Sequence, residues 1–301
     1  MDDSPLILYV PGMLPKPEPE QHREEVLRCL MAALQRVDAD TADALRGRPA
    51  SFDLIGWTYD FYLEHRDLAL DRADIDAALA KGSPDERDVA EAQSWKRRLL
   101  HLSYLLGDRL PFLVPKLANE RVAVHLRDLR RYARNENDIA EHLRRLVKRP
   151  LEAAAASGRP VLLLAHSMGS VICWDALWEL SRRDQRSVNV SRWVTMGSPL
   201  GGNYLQQRLK GFNDQGAERF PDNIESWINL ASVGELTAFD RHLKNDFAGM
   251  IESGLIGDID DREFYSFYRA DGLLAVHNEY GYLMHEATAQ VVSDWWRETN
   301  S

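Results

Sequence analysis

The run VLLLAHSMGS, residues 161–170, sets a serine between a short apolar stretch and a segment with helical spacing. A serine hydroxyl is a weak nucleophile at neutral pH and attacks a carbonyl only when an adjacent base takes its proton. The chemistry then needs three further parts. These are an imidazole base, a carboxylate that holds the imidazole in one tautomer, and a pair of N–H donors where an oxyanion develops. In Ala165-His166-Ser167-Met168-Gly169, small residues stand two before and two after the serine. That spacing lets a helix pack closely on the strand it follows and lifts the hydroxyl clear of the backbone. The usual form is G-x-S-x-G, and Ala165 departs from it by one methyl group. Ser167 would also gain from the helix N-terminus, whose partial positive charge favours developing negative charge.

Such a turn must be carried by a strand and a helix, and the chain supplies an ordered series of both. Short apolar runs bounded by turn residues occur at 6–12, 51–57, 161–167, 192–198, 226–232 and 264–270. Segments with helical periodicity lie at 24–37, 138–157, 170–182 and 286–298. Continuous apolar strands alternating with amphipathic helices imply an α/β fold, with a mostly parallel central sheet and helices on both faces. Residues 63–137 break the rhythm, being helix-like without a strand candidate. They read as a helical insertion within a single domain of 301 residues. Its apolar part, 99–117, is interrupted by Gly107, Pro111 and Pro115. The insertion is either a plain cover for the sheet or a lid and acyl-binding wall.

The segments LLLAHSMGS, LYVPGM and TMGSPLGG (195–202) resemble the α/β-hydrolase superfamily, in particular its lipase- and esterase-like branch. The resemblance covers roughly residues 5–60 and 138–298 and leaves the insertion aside. Residues 128–155 are similar to the helix these proteins place before the nucleophile strand. The resemblance implies the chain order nucleophile, acid, histidine, so the partners of Ser167 are expected downstream at strand ends. The strand at 226–232 runs into Val233-Gly234-Glu235, which makes Glu235 the expected acid, with Asp240 in reserve. Glutamate is a permitted variant of the usual aspartate. The base is expected between the last strand and the last helix, where His277 and His285 occur. His277 stands in the loop proper and is preferred, while His285 abuts a helical run and reads as a helix-start or packing histidine. His166 is expected to point away from the nucleophile as a structural, hydrogen-bonding histidine. His242 is expected inside the helix after the acid. The resemblance places the oxyanion donors at the N–H groups of Met168 and Met13, the latter directly after Gly12. Each such donor contributes about 3–4 kcal/mol to transition-state stabilisation.

The expected activity is therefore hydrolysis of a carboxylic ester or related acyl bond, on a small-molecule or lipid-like acyl substrate. Two alternatives share the same sequence features: an acyltransferase with a dry site, and a non-catalytic binding protein that kept the fold. The basic segment from 127 to 149 reads as a solvated helix face partly paired with Asp128, Glu136, Asp138 and Glu141. No zinc-type Cys/His spacing, P-loop or post-strand G-x-G-x-x-G occurs, so no metal or other cofactor is expected. A net charge of -10 argues against nucleic acid as a partner. Only Cys29 and Cys173 are present, no apolar run reaches membrane-spanning length, and no secretory leader is evident. A cytoplasmic setting is the expectation.

Overall fold

The computed structural model describes residues 4–94, 120–235 and 241–300. Six strands form one all-parallel sheet: β1 (Leu6–Val10), β2 (Phe52–Leu54), β3 (Val161–His166), β4 (Arg192–Met196), β5 (Trp227–Ser232) and β6 (Ile259–Phe264). Their spatial order is β2-β1-β3-β4-β5-β6. A two-stranded hairpin, β7 (Arg269–Ala270) and β8 (Leu273–Leu274), follows. Between β1 and β3 run α1 (Pro19–Val37), α2 (Ala39–Arg46), α3 (Thr58–Tyr62), α4 (Ala69–Lys81), α5 (Glu86–Ala92), α6 (Glu120–Ala133) and α7 (Ile139–Ala156). After β3 come α8 (Met168–Trp178), α9 (Asn203–Gln206), α10 (Leu243–Asp246), α11 (Ala248–Glu252), α12 (Glu279–Leu283) and α13 (Glu286–Thr299).

The period-2 alternation of the strands sends each residue to one of two cores. Leu6, Leu8 and Val10 of β1 join Val161, Leu163 and Ala165 of β3 beneath α7 and α8, which contribute Leu143, Val147, Leu151, Val171 and Ile172. Trp193 and Trp227 stack across β4 and β5 at 4.6 Å on the same face. Ile7, Tyr9, Leu162, Leu164, Val194 and Met196 turn the other way, onto Val26, Leu30 and Ala33 of α1 and Val292 and Trp295 of α13. Because both faces are covered, the central strands carry no polar alternation, which is why they read as continuous apolar runs.

Two expectations are corrected. The last sheet strand is not the apolar run 264–270 but β6, which ends where that run begins and pairs with β5 from Trp227↔Ile259 to Ser232↔Phe264. As an edge strand β6 tolerates charge, and Asp260, Asp261, Arg262 and Glu263 fill its middle. Asp261 is used there, accepting hydrogen bonds from the Leu243 and Lys244 N–H groups at the start of α10. The apolar run instead buries Phe267 and Tyr268 as irregular chain. Residues 128–155 are also not one helix: left-handed backbone at Asn135, Asn137 and Asp138 separates α6 from α7.

The apolar stretch 99–117 lies outside the described residues, but the first part of the 63–137 insertion is tied down. Asp88, buried in α5, pairs with Arg269 at 2.8 Å and with Lys81. Glu91 accepts the Leu274 N–H at 3.1 Å. Ala92 packs with Leu274 and Val276. This end of the insertion is thus fastened to the hairpin that leads into residue 277. Among the described residues no helix is long and apolar enough to cross a membrane.

Candidate active site

Ser167 occupies the turn between β3 and α8 with φ 51° and ψ -123°. An L-residue there costs on the order of 1–3 kcal/mol and persists only when its surroundings over-determine it. They do so here. The Ser167 N–H donates to the Met196 carbonyl at 2.9 Å. Its own carbonyl accepts from the Ser170 N–H at 3.0 Å and the Ser170 hydroxyl at 2.6 Å. Two glycines allow the close approach. A Cβ on Gly169 would stand 2.5 Å from the Val10 carbonyl oxygen, and one on Gly12 would stand 3.0 Å from Ser167 Cβ. The end of β1 is therefore pressed against the start of α8.

Ser167 Oγ lies 2.9 Å from His277 Nε2. His277 Nδ1 meets Glu235 Oε1. His277 follows the β7–β8 hairpin in the loop before α12. Glu235 closes the turn after β5, its N–H donating to the Ser232 carbonyl at 3.2 Å, with Gly234 at φ 85° supplying the bend. A Cβ on Gly234 would collide with the Ala92 carbonyl oxygen at 2.6 Å, so the insertion braces this turn from behind. The structure thus brings together Ser167, His277 and Glu235 from three strand-end loops. A hydroxyl on one imidazole nitrogen with a buried carboxylate on the other can pass a proton while staying charge-balanced. Asp240, the reserve acid, lies outside the described residues.

Three residues that sequence reasoning missed stand around these contacts. The Tyr282 hydroxyl donates to Glu235 Oε2 and accepts the Ser232 N–H at 2.9 Å. A glutamate has one more rotatable bond than aspartate, and occupation of both its oxygens removes that freedom. Burial and the neighbouring Glu235 charge hold the Tyr282 phenol well above its ordinary pKa, keeping it a donor. Gly197 at the end of β4 has φ 55°, and a Cβ there would stand 2.7 Å from Glu235 Oε1 and 3.1 Å from His277 Nδ1. Glu279, two residues after the histidine, is buried on Tyr9, Lys16 and His22. In the sequence Tyr282 belongs to an aromatic cluster that reads as core, and Gly197 reads as an ordinary turn glycine.

The segment expected to hold a donor follows β1. The Pro11 carbonyl accepts the Trp57 indole N–H at 2.8 Å. The Leu14 N–H donates to the Tyr62 hydroxyl at 3.1 Å, and Leu14 is left-handed at φ 75°. Met13 is half-buried between these anchors, beyond the Gly12 that touches Ser167. Met168 opens α8, where first-turn N–H groups have no intrahelical acceptor.

The remaining histidines divide. His166 is buried beside His277 rather than pointing away from the site. Its ring packs at 4.8 Å from that of His277 and 5.4 Å from that of Tyr282. Burial, reinforced by His277, keeps its pKa well below the usual value, so it backs the site as a neutral ring. His285 caps α13, its Nδ1 accepting the Ala287 N–H at 3.1 Å, as a helix-start histidine should. His242 stands before α10 rather than inside a helix, because Asp261 takes the first N–H groups of α10. In the basic segment, Arg144 is buried on Glu179 at 2.9 Å and Lys148 pairs with Glu179 and Asp184. Arg145 pairs with Glu141 at 2.8 Å, and Arg131 lies over the Phe61 ring at 4.2 Å.

Comparisons with protein-family models, with curated proteins and with solved structures found no match.

Proposed function

We propose that this protein is a serine hydrolase of the α/β-hydrolase type that cleaves a carboxylic ester or related acyl bond through an acyl-enzyme. One observation carries the reading: the unbroken run of contacts from Ser167 Oγ through His277 to buried Glu235. In this reading Glu235 holds the tautomer with the proton on Nδ1. His277 Nε2 then takes the Ser167 proton as Oγ bonds to the acyl carbon and the carbonyl electron pair moves onto oxygen. That oxyanion rests against the Met168 and Met13 N–H groups. Collapse breaks the ester C–O bond, and the leaving alkoxide takes the proton from the imidazolium. Water repeats the sequence in reverse order of roles and frees the acid. What supports the strand-end placement is general to open parallel sheets, where functional groups collect beyond the carboxyl ends of the strands.

A fluorophosphonate probe tests the reading. Stoichiometric labelling of the wild-type protein that Ser167→Ala abolishes is expected, with turnover of p-nitrophenyl esters lost in parallel. A wild-type protein that takes no label, or label that survives in Ser167→Ala, would sink it. Product partition with added alcohols measures whether water or an alcohol is the preferred acceptor.

A further inference from the structure

Glu279 is a carboxylate with almost no access to water, its side chain 2% exposed. Burying such a charge costs several kcal/mol unless excellent partners offset it. Three converge on it. The Tyr9 hydroxyl donates to Oε2 at 2.7 Å. Lys16 Nζ and His22 Nε2 approach Oε1 at 2.7 and 3.1 Å. Burial works to raise the Glu279 pKa, and Lys16 and His22 outweigh it, holding the group well below the ordinary carboxylate range. These partners come from β1, from the segment after it and from α1, whereas Glu279 opens α12 two residues beyond His277. Lys16 is three residues beyond Met13. The same short helix carries Tyr282, which grips Glu235.

We infer that Glu279 is a positioning residue that locks the histidine loop to the Met13 segment through Lys16, so that base and oxyanion donor are set as one unit. The inference rests on the proposed hydrolase reading. An apolar residue of similar volume would fill this space without the desolvation cost. What the ion pair adds is register: it bonds two loops whose backbones are otherwise anchored to different neighbours. The Met13 side hangs from Trp57 and Tyr62, and the His277 side from the hairpin and α5.

The test is a double-mutant cycle of Glu279→Gln, Lys16→Met and the pair. It is read as kcat and KM on p-nitrophenyl butyrate and as fluorophosphonate labelling rate, with melting curves alongside. Each single variant is expected to lower kcat about 10- to 100-fold, with KM within about twofold, since small misplacement of reacting groups acts on turnover. The pair should be no slower than the slower single, because both remove one coupling. Unchanged kcat in Glu279→Gln, or losses that multiply in the pair, would overturn the inference. A loss of kcat only at temperatures where the variant melts would overturn it too, as that marks a purely structural role. If Glu279→Gln does not fold, Lys16→Met decides alone by the same kcat and KM criterion. An unlabelled, inactive wild-type protein removes the hydrolase reading itself. An active wild type with an indifferent cycle removes only the role of Glu279.

Discussion

Replacing Gly197 by alanine separates backbone strain from damage to the proposed Ser167–His277–Glu235 relay. At φ 55° an alanine pays about 1–2 kcal/mol for left-handed backbone. Gly158, at φ 68° after α7, pays the same, but a Cβ there meets nothing within 4 Å. At Gly197 the added Cβ stands 2.7 Å from Glu235 Oε1, so that oxygen must retreat by about 0.7 Å to reach ordinary contact near 3.4 Å. His277 Nδ1 itself lies 3.1 Å from the new atom, so both partners of the contact are crowded and its geometry must change. Displacements of this size cost about 10²-fold in rate, and complete loss of the acid's hold on the imidazole costs about 10⁴. Gly197→Ala should therefore lower kcat by 10²- to 10⁴-fold with little change in KM, as measured by p-nitrophenyl ester turnover. Both glycine variants should melt lower by roughly 2–4 °C per kcal/mol of strain. Only Gly197→Ala should lose activity. If it keeps kcat within about threefold of wild type while melting like Gly158→Ala, the Glu235–His277 contact plays no part in turnover.

Glu235→Gln keeps the shape but removes the charge, and kcat should fall by about 10⁴ in steady-state assays. Tyr282→Phe should cost roughly 10- to 100-fold, the worth of one hydrogen bond to a charged group, with KM preserved. Gly12→Ala puts a Cβ 2.7 Å from His166 Nδ1 and 3.0 Å from Ser167 Cβ, and should slow fluorophosphonate labelling at least tenfold. Stability should fall as pH drops below the ordinary histidine value of 6.5, because the unfolded chain binds protons that the folded one refuses. Burial, with His277 adding, holds His166 well below 6.5, and burial with Arg36 holds His285 at about 4. Each histidine contributes up to about 1.4 kcal/mol per pH unit. Asp175, pushed up to about 6 by burial, works in the opposite direction between 3.8 and 6, since its folded form keeps the proton. Urea unfolding at pH 7, 6 and 5 should show a shallower acid loss for His166→Phe and a steeper one for Asp175→Asn.

The sheet was legible because each central strand is buried on both faces, and five of the six apolar runs coincide with strands. β6 was not, because an edge strand needs little apolar character and the Asp260-Asp261-Arg262-Glu263 run hides it. Ser167, Glu235 and His277 could be named because chain order and loop position constrain them, and Gly234 advertises the turn that presents the acid. The supporting contacts carry no local signal. Tyr282 reaches Glu235 across 47 residues, and Glu279 reaches His22 across 257. Their residue types, a phenol in an aromatic run and a glutamate after an asparagine, are those of any core helix or cap. His166 misled for a related reason: position on the turn suggests a ring directed away from Ser167, whereas the fold packs it tilted against the His277 ring at 4.8 Å.

The left-handed backbone of Ser167 has a consequence for how this site would fare under selection. Ser167→Ala removes the hydroxyl but leaves the strain in place and is the matched control. Ser167→Gly releases it, so the variant without the hydroxyl should be the sturdier molecule by about 1 kcal/mol. Directed evolution of this chain for heat resistance alone would therefore favour discarding the proposed nucleophile, and only a concurrent screen for turnover would retain it.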